Sequence, residues 1–188
     1  MRIGLLGGSF DPAHEGHVNI SRAAMRRFRL DRVWWLVSPG NPLKARGPAP
    51  VADRIAHARQ MLADPHMVAT DIETRLGTRM TADTIAGLLK IFPGVRFVWL
   101  MGSDNLVQFH HWDRWRDIAA SLPIGVLARP GSQTAARHSV AARAMARARL
   151  PLSRAGTLAT REPPAWVLVN LPMSPQSSTA LRQSLGAG

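Results

Sequence analysis

The 188-residue sequence predicts an α/β fold, a doubly wound and mostly parallel sheet with helices on both faces, in three layers. Three observations predict it. Short apolar runs of strand length recur along the chain, stretches of helical spacing separate them, and the first run ends in a glycine-rich loop that leads into a helix. "RIGLLG" suits a buried parallel strand, and "HVNISRAAMRRF" sets Val18, Ile20, Ala24, Met25 and Phe28 near helical spacing, with the helix expected to begin near Gly16 or His17. "RVWWLVS" reads as the second strand, "PGNPLKARGPAP" as a loop and "VADRIAHARQMLA" as a helix. "HMVATDIE" is the third strand candidate, and "TADTIAGLLKIF" a helix closed by Pro93-Gly94. "VRFVWLMG", "PIGVLARPG" and "AWVLVNLP" complete the strands, with an arginine- and alanine-rich stretch before the last of them and a final helix in "SSTALRQSL". No repeat, low-complexity tract or linker divides the chain, so one domain over residues 1–188 is expected.

Composition narrows the setting. The chain has no cysteine, no charged-then-apolar leader and no apolar run of bilayer length, which reads as a cytoplasmic protein with no membrane partner. Its 24 basic and 12 acidic residues leave a formal charge of +12, which points to an anionic partner. Between Ile118 and Arg161 there are seven arginines, Arg129, Arg137, Arg143, Arg147, Arg149, Arg154 and Arg161, and no Asp or Glu. Such a run is more often a solvated face than a nucleic-acid groove, and it lacks the interleaved aromatics that stack on bases.

The opening loop, "GGSFDPAHEGH", matches neither the dinucleotide fingerprint nor the phosphate loop with its Gly-Lys-Ser/Thr ending. Gly7 and Gly8 permit close backbone approach, so the N–H groups of Gly8, Ser9 and Phe10 are candidates to face a phosphate. Asp11-Pro12 turns the chain, and the helix that follows presents its positive end to the same anion. His14 and His17, three apart, set both rings on one side of a first helical turn, where two N–H donors would stabilise phosphate charge. Metal ligation and plain surface histidines stand as the alternatives. Near the other end, Ser177, Ser178 and Thr179 start the last helix with Arg182 one turn on, either an ordinary cap or a second anion clamp. Asp104, after the "VRFVWLMG" strand, is placed at the sheet's carboxyl edge, to accept from ribose hydroxyls or to cap the next helix.

These residues carry a resemblance. "GGSFDPAHEGH" resembles the first signature of the nucleotidylyltransferase superfamily, and its H-x-G-H form that of the bacterial nicotinate-nucleotide adenylyltransferases. "NPLK", "DIETRLGTRMTADTI", "FVWLMGSDNLVQFHHWDRW", "LARPG" and "SSTALR" extend the match along nearly the whole chain. The resemblance implies a Rossmann-like nucleotidylyltransferase fold and transfer of AMP from ATP to nicotinic acid mononucleotide, giving deamido-NAD and pyrophosphate for NAD biosynthesis. It implies catalytic roles for His14, His17, Lys44 and Arg182, and ATP binding by Gly7, Gly8, Ser9, Phe10, His14, His17, Ser177, Ser178, Thr179 and Arg182. Ser9, Phe10, Lys44, Thr81, Asp104, Trp112 and Arg129 would hold the mononucleotide, with Trp112 stacked on the pyridine ring and Trp115 packed in the core. Magnesium would come with ATP, bridging phosphate oxygens through water, with no metal ligand supplied by the protein.

Met80 stands where the family often has Tyr, and Gln176 where it has a β-branched apolar residue. Two enzyme alternatives share the fold: an adenylyltransferase for nicotinamide mononucleotide, and one for phosphopantetheine. The alternative of another class is a nucleic-acid-binding module built on the arginine stretch. Small-molecule substrates are the expected partners, nucleic acid is not, and a homo-oligomer is left open.

Overall fold

A computed structural model of the chain describes residues 1–39, 48–128 and 131–171. Six strands, β1 (Arg2–Gly8), β2 (Arg32–Val37), β3 (Met67–Thr70), β4 (Arg96–Gly102), β5 (Ile124–Ala128) and β6 (Trp166–Asn170), form one sheet in the order β3-β2-β1-β4-β5-β6. Every neighbouring pair is parallel, so the sheet is wholly rather than mostly so. From β1 the chain steps outward through β2 to β3, then returns to lay β4 on the other side of β1 and continues to β6. The winding therefore reverses between β1 and β4, where an open sheet of this kind leaves a crevice at its carboxyl edge.

The eight described α-helices are α1 (Glu15–Phe28), α2 (Val51–Met61), α3 (Ile72–Leu76), α4 (Thr81–Ile91), α5 (Ser103–Gln108), α6 (Trp115–Ser121), α7 (Gln133–Arg137) and α8 (Val140–Ala144). Side chains alternate across the strands, and because helices cover both faces each strand is apolar on both. Ile3, Leu5, Phe97, Trp99, Met101, Ile124 and Val126 pack on one side with Ile85 and Leu88 of α4, Leu106 of α5 and Ile118 of α6. Leu6, Val98, Leu100, Leu127, Val167 and Val169 pack on the other with Val18, Ala24 and Phe28 of α1 and Ile55 and Ala58 of α2. The result is three layers. Gly125 lets α1 lie close, since a Cβ there would strike the Phe28 ring.

Two expectations are corrected, and a stretch left without elements gains them. α1 starts at Glu15, one or two residues before the expected Gly16 or His17, because His14 takes the cap position. The third strand stops at Thr70, and the "DIE" that was to end it opens α3, where Ile72 and Leu76 share one face and Gly77 closes the helix in the left-handed conformation at φ 66°. The arginine- and alanine-rich stretch folds as α7, α8 and the 3₁₀ segments Ala146–Ala148 and Leu152–Thr160. Among the described residues no helix is long and apolar enough to cross a membrane.

Candidate functional site

The site is built on the carboxyl ends of β1 and β4. Gly7, at the end of β1, faces Trp99 of the neighbouring strand, and a Cβ on residue 7 would come within 2.8 Å of the indole ring. Glycine here allows Trp99 to fill the floor beside the loop. Beyond Gly8 the chain turns sharply. Phe10 is only 2% exposed and holds a left-handed backbone, φ 47°, which a side chain adopts only where its surroundings impose it. Its ring stacks on Trp35 of β2 at 4.9 Å between centroids, which supplies that imposition. The Asp11–Pro12 peptide that follows is cis.

The two histidines then start α1 in a reciprocal cap. His14 Nδ1 accepts from the Gly16 N–H at 3.0 Å, while His17 Nδ1 accepts from the His14 N–H at 3.2 Å. This is the arrangement in which a cap residue and the residue three further on each satisfy an orphan helix N–H, made with two imidazoles. Acceptance at both Nδ1 atoms assigns the ring protons to Nε2, so each neutral ring is a donor through that atom. The rings lie 3.9 Å apart between centroids, and His17 also touches Phe10 at 4.8 Å. His14 is 5% exposed, which removes the surface-histidine reading. Among the described residues no group of three His, Asp or Glu stands close enough to hold a metal ion.

Three residues absent from the site expected from sequence support this loop. Trp35 Nε1–H donates to Ser21 Oγ at 2.7 Å, and Ser21 Oγ–H donates to the His17 carbonyl at 2.8 Å, so the ring under Phe10 is tied to the helix that bears the histidines. Arg54 of α2, 3% exposed, donates from Nη1 to the carbonyls of Ser9 (2.5 Å) and Ser38 (2.9 Å) and from Nε to that of Ala49 (2.6 Å). Burial draws its guanidinium below the usual arginine range, and Asp11 opposes that. Arg54 was detectable, because Val51, Arg54, Ile55 and Ala58 share one helical stripe and an arginine on an apolar stripe needs a reason. Ser21 and Trp35 carry no such signal.

The opposite wall comes from β4 and the segments after it. Asp104 is exposed in the first turn of α5, whose cap residue is Gly102, so the carboxylate does not hold the cap position. It folds back over Gly102, in space that a Cβ on residue 102 would take. Trp112 is half-buried, edge-on to Trp99 at 6.1 Å and to Phe109 at 5.4 Å, and so continues the aromatic floor that begins at Gly7. Trp115 is buried at 7% exposure and packs on Phe109, as expected. Thr81 is the first residue of α4, after Met80, which caps without a side-chain bond and leaves its own side chain 44% exposed. Arg114 Nη2 donates to Asp83 Oδ1 at 2.6 Å, which ties the first turn of α4 to the segment after Trp112. The turn before α4 is held by Thr78, hydrogen-bonded to Thr84 at 2.8 Å, and beneath it lies Glu73, whose carboxyl burial pushes up to about 7.

The structure thus brings Phe10, His14 and His17 into contact beyond the glycines that end β1, seats Trp112 on Trp99 of the neighbouring strand, and places Asp104 in the turn after β4 and Thr81 at the start of α4. Lys44, Arg129, Ser177, Ser178, Thr179 and Arg182 lie outside the described residues.

The family model described as cytidylyltransferase-like matches residues 5–184. A protein of Cereibacter sphaeroides named "Probable nicotinate-nucleotide adenylyltransferase" is 62% identical over 182 residues, 97% of each chain. One of the same name from Roseobacter denitrificans is 58% identical over 98% of this chain and 92% of its own. In fold, the chain is similar to Plasmodium falciparum nicotinic acid mononucleotide adenylyltransferase complexed with NaAD, at a TM-score of 0.71 and 16% identity, over 97% of this chain and 82% of that one. With a family model spanning nearly its full length and relatives this similar from end to end, the chain belongs to the cytidylyltransferase-like family and, within it, to the nicotinate-nucleotide adenylyltransferases.

Proposed function

We propose that this chain transfers AMP from ATP to nicotinic acid mononucleotide, forming deamido-NAD and pyrophosphate. The observation that carries the reading is the paired histidine cap at the β1–β4 crevice, which points two neutral N–H donors from a helix N-terminus beside a glycine turn. A phosphate oxygen of the mononucleotide attacks the α-phosphorus of ATP, a bond forms there, and the bond from that phosphorus to the bridging oxygen breaks as pyrophosphate leaves. The nucleophile is already ionised at neutral pH, so the protein needs no general base. Its work is to align two anions and to stabilise the charge that gathers on the phosphoryl oxygens.

His14 and His17 act on the α-phosphate, and the N–H groups of Gly8, Ser9 and Phe10 line the loop beneath it. Asp104 accepts from ribose hydroxyls, Trp112 offers an aromatic face to the pyridine ring, and Thr81 stands at the positive end of α4 beside it. The family resemblance assigns Lys44, Arg182 and the Ser177–Thr179 cap to the β- and γ-phosphates and Arg129 to the mononucleotide. Magnesium would come with the ATP substrate and would supply neutralisation of charge on the phosphates. Work in NAD biosynthesis on soluble phosphorylated substrates fits a cytoplasmic enzyme.

The test is pyrophosphate release from ATP and magnesium with nicotinic acid mononucleotide, nicotinamide mononucleotide and phosphopantetheine as rival acceptors. A marked preference for the acid is expected. Equal rates with the amide, or release with phosphopantetheine alone, would reassign the substrate, and no release with any acceptor would defeat the reading.

A further inference from the structure

Arg54 carries more than packing explains. A buried arginine ordinarily meets a carboxylate, yet among the described residues Arg54 forms no ion pair and its Nη2 has no hydrogen-bond partner. What it meets is main chain: the carbonyl of Ser9 in the glycine turn, the carbonyl of Ser38 just after β2, and that of Ala49 just before α2. The first two follow the paired ends of β1 and β2, where the ladder stops at the Ser38 N–H donating to the Gly8 carbonyl at 3.0 Å. The third leads into α2, so Arg54 ties the helix to both strand ends beyond the ladder. A cation desolvated to hold three carbonyls is a costly device for stability alone, because an apolar residue of the same volume would fill the space without the desolvation penalty.

We propose that Arg54 is a positioning residue of the triphosphate site, its planar fork fixing the Ser9 main chain against the ends of the two flanking segments so that the Ser9 and Phe10 N–H groups face the nucleotide. The proposal rests on the adenylyl-transfer reading and deepens it. The carbonyl of Ser9 and the N–H of Phe10 belong to one peptide plane, so anchoring the carbonyl below the loop turns that N–H toward the opposite side. Phe10 is already held in a left-handed backbone by its stacked ring, and the two restraints together fix the turn. Lysine cannot replace the fork, since a single ammonium lacks the two nitrogens set at a fixed angle that reach Ala49 on one side and Ser9 and Ser38 on the other.

The experiment compares Arg54→Lys and Arg54→Met with the wild type by ATP titration calorimetry and by steady-state kinetics in both substrates. Weaker ATP binding is expected in both variants, with turnover down about tenfold to a hundredfold, as for reacting groups displaced by about 1 Å. The apparent KM for ATP should rise in both variants. Ile55→Ala, one residue on and in the same core, is the control: it should lower Tm without moving the KM for ATP. Unchanged ATP binding in the folded Arg54 variants, or the same rise in KM from Ile55→Ala, would overturn the proposal. Calorimetry separates this from the identity of the acceptor: a wild type that binds ATP but adenylates no mononucleotide would sink the substrate reading and leave Arg54 to be judged on ATP affinity, and one that binds no ATP would sink both. If neither variant folds, a crystal structure of the wild type with a non-hydrolysable ATP analogue decides. A phosphate oxygen on the Ser9 or Phe10 N–H with Arg54 still on the Ser9 carbonyl is expected, and a triphosphate seated away from that turn would overturn the proposal.

Discussion

At the scale of single residues, His14 and His17 combine an observed helix cap with the proposed phosphate-binding role. The Nδ1 atoms close the end of α1, and Nε2 is the atom of each ring proposed to act on phosphate. The H-x-x-H spacing was legible in the sequence as a pair of donors, but the cap was not, because cap signals are read from Ser, Thr, Asp and Asn and histidine is seldom counted among them. Substitution separates the jobs. His14→Asn keeps an acceptor at a position where asparagine is favoured, so Tm should stay within about 4 °C while turnover falls about a hundredfold, as for loss of one donor to developing charge. Thermal melting alongside pyrophosphate release checks it, and unchanged turnover would reduce His14 to a cap. The glycine turn was equally legible, since Gly-Gly after an apolar run has few other uses. Arg54 was legible as an arginine on the apolar stripe of Val51, Ile55 and Ala58, but its partners were not, because backbone carbonyls leave no trace in the sequence.

Among elements, the segment from β3 to α4 shows where the pattern ran out. Five residues make α3, too few for a helical period to emerge, and the strand-like alternation of "MVAT" ran on into it. The expected substrate loop is therefore a short helix, a left-handed Gly77 and a turn held by Thr78, with the Glu73 carboxyl beneath. Burial raises that carboxyl from an ordinary 4.5 to about 7. The folded chain then holds a proton there that the unfolded chain has released, so this contribution to stability is full below about 4.5 and is lost as pH rises toward 7. The shift corresponds to a loss on the order of 3 kcal/mol across that window. Glu73→Gln should flatten the dependence, melting several degrees above wild type at pH 8 and near it at pH 4.5, as followed by Tm against pH. Coincident curves would show that Glu73 does not titrate with folding.

For the whole molecule, the alternation of strand and helix was enough to predict a doubly wound parallel sheet, and the reversal of winding then placed the crevice without reference to any side chain. The basic surface is a separate matter. Arg137, Arg143, Arg147, Arg149 and Arg154 are exposed, and Arg149 pairs beside Trp166 at the amino end of β6, the end of the sheet away from the crevice. Charge reversal in the double variant Arg143→Glu/Arg147→Glu should leave kcat/KM within about twofold in the pyrophosphate assay; a loss of about tenfold or more would give the stretch a part in function. The β1–β4 seam carries a different consequence, for the order in which the molecule comes together. Of the five strand pairings it joins the residues farthest apart along the chain, with β2, β3 and their helices in between, so it closes the longest loop and is entropically the slowest to form. During synthesis β1, β2 and β3 are complete before β4 exists. The histidines beyond β1 and the aspartate beyond β4 therefore share one sheet edge only after the two halves have docked, and an incompletely folded chain has nowhere to seat its nucleotide.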